Sequence, residues 1–242
     1  MKTIIYITAL LLTITAITFS QSVMEFEAGS ALTNDSGADI SADVIIMNGI
    51  YTGGGTINGS IAYILNVSVL IEGYYNPSTD TMVSDTARVY LRNIISPYAI
   101  VDSSNCYLSS SGTGTCAFTN AVNGTNYYLD FRHRNSIETW SAAGQSFADF
   151  FGTFDFSNAN SQAYGNNMVQ VNTSPVKFAI YSGDVNQDGF VELSDVVLVY
   201  NDAGNFVTGY VNTDVNGDNL VDLSDVVITY NNASAFVSKI TP

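Results

Sequence analysis

The sequence predicts a mainly β protein: a β-sandwich module followed by a small all-α module built on two acidic loops. Three observations predict it. Apolar and polar residues alternate through short segments between residues 61 and 181, the period of strands with one buried face. Gly/Ser/Asn turns separate those segments and no long amphipathic helix interrupts them, which is the pattern of a sandwich. From residue 184 onward the chain repeats itself at a shift of thirty, with 15 identities in 27 positions between Asp184–Tyr210 and Asp214–Ile240.

Taken in order, residues 1–20 read as a secretory signal. Lys2 supplies a positive start, Ile4 to Phe19 is apolar, and Thr18 and Ser20 are small residues placed for cleavage before Gln21. The run is shorter than the roughly 20 residues that span a bilayer, and no other stretch is long enough, so no membrane span is expected after cleavage. The expected location is extracellular, with cell-surface association open. The formal charge of -15, or -16 without Lys2, excludes a nucleic-acid partner, which needs a basic surface, and suits cations or a basic protein. Fifteen Tyr and 13 Phe argue for a folded chain despite the acidity.

Residues 21–60 are rich in Gly, Ser, Asn, Thr and Asp, with short apolar runs such as Val44 to Met47. A hairpin, one rung of a β-solenoid and a flexible arm are all compatible with that texture.

The sandwich is expected over residues 61–181. Tyr63, Leu65, Val67, Val69 and Ile71 share one face; so do Ala87, Val89 and Leu91, opposite Arg88, Tyr90 and Arg92. Tyr127, Leu129, Phe131 and His133 face one way, and Tyr128, Asp130, Arg132 and Arg134 the other. Shorter strands are expected near Ala99–Val101, Thr115–Thr119, Thr153–Phe156 and Lys177–Tyr181. Cys106 and Cys116 flank a turn-rich YLSSSGTGT, and outside the cell that pair reads as a disulfide across a hairpin, two free buried thiols being the alternative. Closing so short a loop contributes about 2–3 kcal/mol. The stretch SGTGTCAFTNAVNGTNYYLDFRHRN resembles the strand–turn–strand of prealbumin-like and collagen-adhesin B-type sandwich modules, which implies architecture and no activity.

Residues 182–242 hold the repeat. DVNQDGFVELSD (184–195) and DVNGDNLVDLSD (214–225), called loop one and loop two below, contain eight of the chain's 22 acids. Like charges that close repel unless a cation sits among them. Calcium takes six to eight oxygens, which a twelve-residue loop offers from positions 1, 3, 5, 7 (its main-chain carbonyl), 9 and 12. Those positions are Asp184, Asn186, Asp188, Phe190, Glu192 and Asp195, and again Asp214, Asn216, Asp218, Leu220, Asp222 and Asp225. Two Ca2+ ions are therefore expected. Zinc would want nitrogen or sulfur ligands, which neither loop contains. Position 6 must turn sharply, which Gly189 does freely and Asn219 tolerates. Val191 and Val221 at position 8 are placed to pair the loops with each other. Each loop is expected to open a short helix, with Ser194 or Ser224 as N-cap, Asp195 or Asp225 in the first turn, and Gly204 ending the first.

Paired calcium loops, each followed by a helix and with no entering helix, resemble a type I dockerin. The resemblance implies a secreted protein that docks onto a cohesin-like module on a scaffold or cell surface, and the twelve ligand positions carry over as given. Leu193-Ser194 and Leu223-Ser224 stand where many dockerins have two hydroxyl residues, and Tyr200-Asn201 and Tyr230-Asn231 replace a basic pair. Dockerins often accompany enzymes of polysaccharide-degrading systems, and a catalytic acid pair in the sandwich would mark one. Asp130 reads as a solvated charge beside Arg132 and Arg134, Glu138 as a loop acid near Trp140, and His133 as a strand-end residue. No G-x-S-x-G frames a nucleophile. No enzyme is expected. Two alternatives to a docking protein stand: a carbohydrate-binding accessory module using Trp140 with Tyr74, Tyr75 or Tyr128, or a subunit of an extracellular filament or coat.

Overall fold

The computed structural model describes residues 23–26, 31–47 and 50–242. Residues 1–20, expected to be a secretory signal, lie outside the described residues. The described residues are mainly β, with two α-helices.

The first strands are β1 (Val23–Phe26), β2 (Ala31–Asn34), β3 (Asp39–Met47), β4 (Ile50–Gly53) and β5 (Thr56–Ser68). β1, β3 and β5 pair in parallel, and so do β2 and β4. This is a short stack of solenoid rungs, one of the three arrangements the sequence allowed. The rungs register apolar on apolar: Ile45 lies against Ile61, and Ala42 and Ile45 form a buried core with Met24, Leu32 and Ile57 packed on it.

β5 does not stop at residue 61, where the sequence suggested a boundary. Its second half is the central strand of the sandwich's first sheet, antiparallel to β10 (Thr113–Phe118) and parallel to β13 (Phe151–Asp155). Between them in sequence lie β6 (Tyr75–Asn76), β7 (Thr81–Met82), β8 (Asp85–Asn93) and β9 (Ile100–Leu108), then β11 (Tyr127–Arg132) and β12 (Thr139–Trp140). The second sheet runs β12-β11-β8-β9. A small hairpin of β14 (Val169–Thr173) and β15 (Val176–Ala179) follows.

The faces expected from alternation are the ones that meet. Leu65, Val67, Val89, Leu91, Leu129 and Phe131 are buried in one cluster between the sheets, as is His133 at its edge. Burial of such side chains at about 25 cal/mol per Å² of apolar surface is what holds the two layers. Cys106 on β9 and Cys116 on β10 are both buried thiols. The two thiols hydrogen-bond without being covalently bonded to each other, the alternative to a disulfide that the sequence left open, and that hydrogen bond and then burial hold Cys116 well above the usual thiol range.

No linker precedes the repeat. Ser182 bridges to Ser136, the Gly183 N–H donates to the Asn135 carbonyl, and loop one begins at the next residue. The helices are α1 (Leu193–Gly204) and α2 (Leu223–Ser234). They pack over a core of Val185, Val199, Val215 and Val221, while Val191 and Val237 close on Ile137 of the sandwich. Neither helix is long and apolar enough to cross a membrane.

Two measurements check this arrangement. Phe131 is 0% exposed at the centre of the core, so Phe131→Ala should cost about 3–5 kcal/mol in denaturant unfolding; a loss under 1 kcal/mol would mean the two faces do not pack as described. If the bridge expected from the sequence forms, thiol labelling of the denatured protein should find no free sulfhydryl, and two labelled thiols per chain would exclude it.

Candidate metal centre

Both acidic loops wind their side chains inward onto their own main-chain N–H groups. In loop one the Asp184 carboxylate accepts from the amides of Asp188 and Gly189, both at 3.1 Å. Asn186 Oδ1 accepts from Asp188 N at 2.9 Å, and Asp188 Oδ1 from Phe190 N at 3.0 Å. Asp195 closes the ring: Oδ1 accepts from Val185 and Asn186, and Oδ2 from Glu192. Loop two repeats the scheme with Asn216, Asp218 and Asp225, while Asp214 accepts from the amides of Gly217 and Asn219. The sharp turn at position 6 is made at positive φ in both loops, by Gly189 (92°) and Asn219 (69°).

Two details differ from the sequence reading. The N-caps are Glu192 and Asp222, two residues before the expected serines. Each forms a capping box in which Asp195 or Asp225 answers from the third helical position, so the acid at position 12 both starts the helix and returns to its loop. Val191 and Val221 do pair, but not with each other. Val191 N donates to Val237 O beyond α2, and Val221 N to Val207 O beyond α1. Each loop is thus braced by the chain leaving a helix, loop one by the far end of the other repeat.

The position-1 and position-12 acids are withdrawn from water: Asp184 is 2% exposed, Asp195 0%, Asp214 1% and Asp225 0%. Among the described residues no cationic side chain is within ion-pair distance of Asp184, Asp195 or Asp225. Burial, and after it the charge of Asp195, pushes Asp184 up to about 7; burial likewise raises Asp195 and Asp225. Asp188, Glu192 and Asp218 are exposed on the outer side of the loops. Among the described residues no three side chains of the acid, His or Cys type converge on one point as they stand. A full oxygen set therefore draws on the asparagine amides and the carbonyls of Phe190 and Leu220. In kind these donors, all hard oxygen, fit calcium and not zinc.

The sandwich acids are otherwise engaged. Asp130, expected to be solvated, is 0% exposed and ion-paired with Arg92 at 2.8 Å and Arg132 at 3.0 Å; burial raises its pKa in spite of both guanidinium groups. Arg92 reaches it from the neighbouring strand, which alternation within one strand does not reveal. Glu138 accepts from Trp140 Nε1 at 2.6 Å and pairs with Arg132 at 2.9 Å. Asp102 accepts from the amides of Thr119 and Asn120, and Asp155 from Ser157. Asp149 sits in a tight turn at φ 49°. The rings proposed for sugar stacking are also taken: Trp140 is 4% exposed under the Arg92 guanidinium, Tyr74 and Tyr75 are buried, and Tyr128 packs its ring on Trp140.

Sequence reasoning missed the residues that join the sandwich to loop two. Arg134 contacts Asp214 at 3.4 Å and Asp85 at 3.2 Å, and donates to the Val211 carbonyl and the Tyr74 hydroxyl. Asn135 Nδ2 donates to the Asp214 carbonyl at 2.7 Å. Asn232 of α2 donates to Glu72 and to the Ser182 carbonyl. Gly73 approaches so closely that an added Cβ would stand 2.3 Å from the Val215 carbonyl oxygen. The run RHRN at the end of an alternating strand was the available signal: four consecutive polar side chains where strand period predicts only one face for solvent.

No family model matches the chain, and no curated protein matches it. Among solved structures it is similar to a chain from the crystal structure of a type II cohesin–X–dockerin complex of Acetivibrio cellulolyticus bearing an N-terminal interface mutation. That likeness is 15% in identity with a TM-score of 0.39, covering 73% of this chain and 99% of that chain. At that score the likeness supports no argument about fold, function or partner.

His133 tests the interface. Its Nε2 lies 3.1 Å from Asp85 Oδ2 and its Nδ1 3.2 Å from Ser136 Oγ, so a neutral ring donates to the carboxylate and accepts from the serine. Burial holds its pKa below the usual imidazole range. Burial would raise Asp85, yet hydrogen bonds from His133, Tyr210 and the Thr86 amide outweigh it and keep that carboxyl well below its usual range. The unfolded chain takes up a proton on this histidine near pH 6.5 and the folded chain resists it, so the contribution is complete above about pH 6.5 and is lost as pH falls. Unfolding of wild type and His133→Gln should therefore differ most at about pH 7.5 and converge toward pH 5. A difference independent of pH would show that the ring titrates freely.

Proposed function

We propose that this is a secreted, non-catalytic protein whose C-terminal module, residues 182–242, binds two calcium ions and mediates extracellular or cell-surface attachment by docking to another protein. The observation that carries the calcium reading is the burial of Asp184, Asp195 and Asp225 without a cationic side chain. A buried carboxylate with no counter-charge costs several kcal/mol, and a divalent ion held by the same oxygens offsets that cost. The ligands are Asp184, Asn186, Asp188, the Phe190 carbonyl, Glu192 and Asp195 for one ion. Asp214, Asn216, Asp218, the Leu220 carbonyl, Asp222 and Asp225 serve the other. What the ion supplies is charge compensation and loop closure; the chain's own part is to present the oxygens and hold the helices on them.

The docking reading is supported by what the helices leave outside. Leu193 and Leu223, Tyr200 and Tyr230, and Phe206 and Phe236 are exposed at equivalent positions in the two repeats. Beside them Phe190, Val196, Tyr230 and Phe236 line a groove of about 600 Å³. Apolar side chains exposed in this density mark a surface that another protein covers. The dockerin-like sequence makes a cohesin-like module the partner to test. The non-catalytic reading is supported by the ion pairs that engage Asp130 with Arg92 and Glu138 with Arg132, and the buried Trp140 leaves a carbohydrate-binding platform without its ring.

Calorimetry on the full chain, stripped with chelator, should titrate near two calcium ions and raise the melting temperature. Asp195→Ala and Asp225→Ala should each remove one ion, and the double variant should also lose capture by an immobilised cohesin-like module. No heat of binding and no thermal shift would end the calcium reading. Equal capture of the double variant would end the link between calcium and docking.

A further inference from the structure

The two loops are near copies in sequence but not in surroundings. Asp184, first in loop one, meets main-chain amides and no cation. Its counterpart Asp214 receives Arg134 on Oδ2 at 3.4 Å, and its main-chain carbonyl accepts from Asn135 and from the Tyr74 hydroxyl. Arg134 is not free to swing away. It pairs with Asp85, donates to the Val211 carbonyl, and stacks between the rings of Tyr210 and Tyr74, whose centroids are 4.2 and 5.7 Å away. Lys239 is the cation that packs against loop one. Its stem packs against Gly189, but its ammonium is directed to Glu138 at 3.9 Å.

We propose that the sandwich, through Arg134, makes the two calcium loops unequal: loop one is the tighter site and fills first, and loop two is the weaker site. The inference rests on the calcium reading above. A guanidinium fixed beside a position-1 carboxylate repels an arriving divalent ion and already satisfies part of that carboxylate's charge. Loop one offers its buried acids uncompensated, so it gains the whole attraction. Filling loop two then sets calcium against the contact that docks the module on the sandwich, which ties that ion to the interface as well as to the loop. The loops also differ at position 6 (Gly189 and Asn219) and position 9 (Glu192 and Asp222). The order of filling alone therefore does not isolate Arg134, and its variant does.

Calcium titration of the full chain followed by NMR separates the sites, because the Gly189 and Asn219 amides report one loop each. The Gly189 signal should saturate at about tenfold lower calcium than that of Asn219, the effect of one fixed charge near a ligand. In Arg134→Gln the gap should shrink to about twofold by tightening of loop two. Arg134→Lys, which keeps the charge while giving up the forked hydrogen bonds, should retain the gap and so separates charge from the loss of an interface anchor. Simultaneous filling, earlier filling at Asn219, or a gap unchanged in Arg134→Gln would overturn the proposal while leaving calcium binding intact. No calcium-dependent shift at either amide would overturn the calcium reading, and this inference with it.

Discussion

The C-terminal module, residues 182–242, is organised around carboxylates that are kept from water. Asp184, Asp195, Asp214 and Asp225 lie where only main-chain N–H groups reach most of their oxygens. Each N–H···O bond eases the charge without cancelling it, and the remainder sets what else the module must do. The loops are held tight by those bonds, the helices start from the same acids, and the valines of the small core are carried inward by the helices. A change at position 12 thus reaches loop, cap and core together.

A second constraint comes from β5. One unbroken strand belongs to the solenoid rungs at its start and to the sandwich at its end. The two regions cannot rotate about each other without breaking a ladder of main-chain hydrogen bonds. At the other end of the sandwich, polar contacts from Arg134, Asn135 and Glu72 hold the helical module without a linker. The chain is therefore three textures of structure in a continuous series, with no flexible joint among the described residues.

The sandwich was legible in sequence because side-chain direction in a strand follows from a period of two. Leu129 and Phe131 had to share a face, and the core follows from that. The solenoid rungs were not legible to the same degree, since parallel pairing is settled between distant segments, and Val44 to Met47 could serve in a hairpin as well. The loops were readable from spacing, and the fixed shift placed each oxygen. What spacing could not supply was environment. Asp130 is buried because Arg92 on β8 meets it, and Trp140 is covered by that same arginine. The N-caps fell at Glu192 and Asp222 because the capping box claims the acid three residues on, which outweighs a serine's preference.

The exchange of braces between the repeats has a consequence for how such a module can be divided. Val191 is tied to Val237 and Phe190 to Ser238, so the first repeat is completed only by the last stretch of the second. The second repeat takes its own brace from the last stretch of the first, through Val221 and Val207. Neither half owns all of its backbone partners. A single loop–helix unit cut from this chain would be a fragment with unmet N–H groups, not a smaller domain. The pair is the least piece of the sequence that can be inherited, transplanted or melted as a whole.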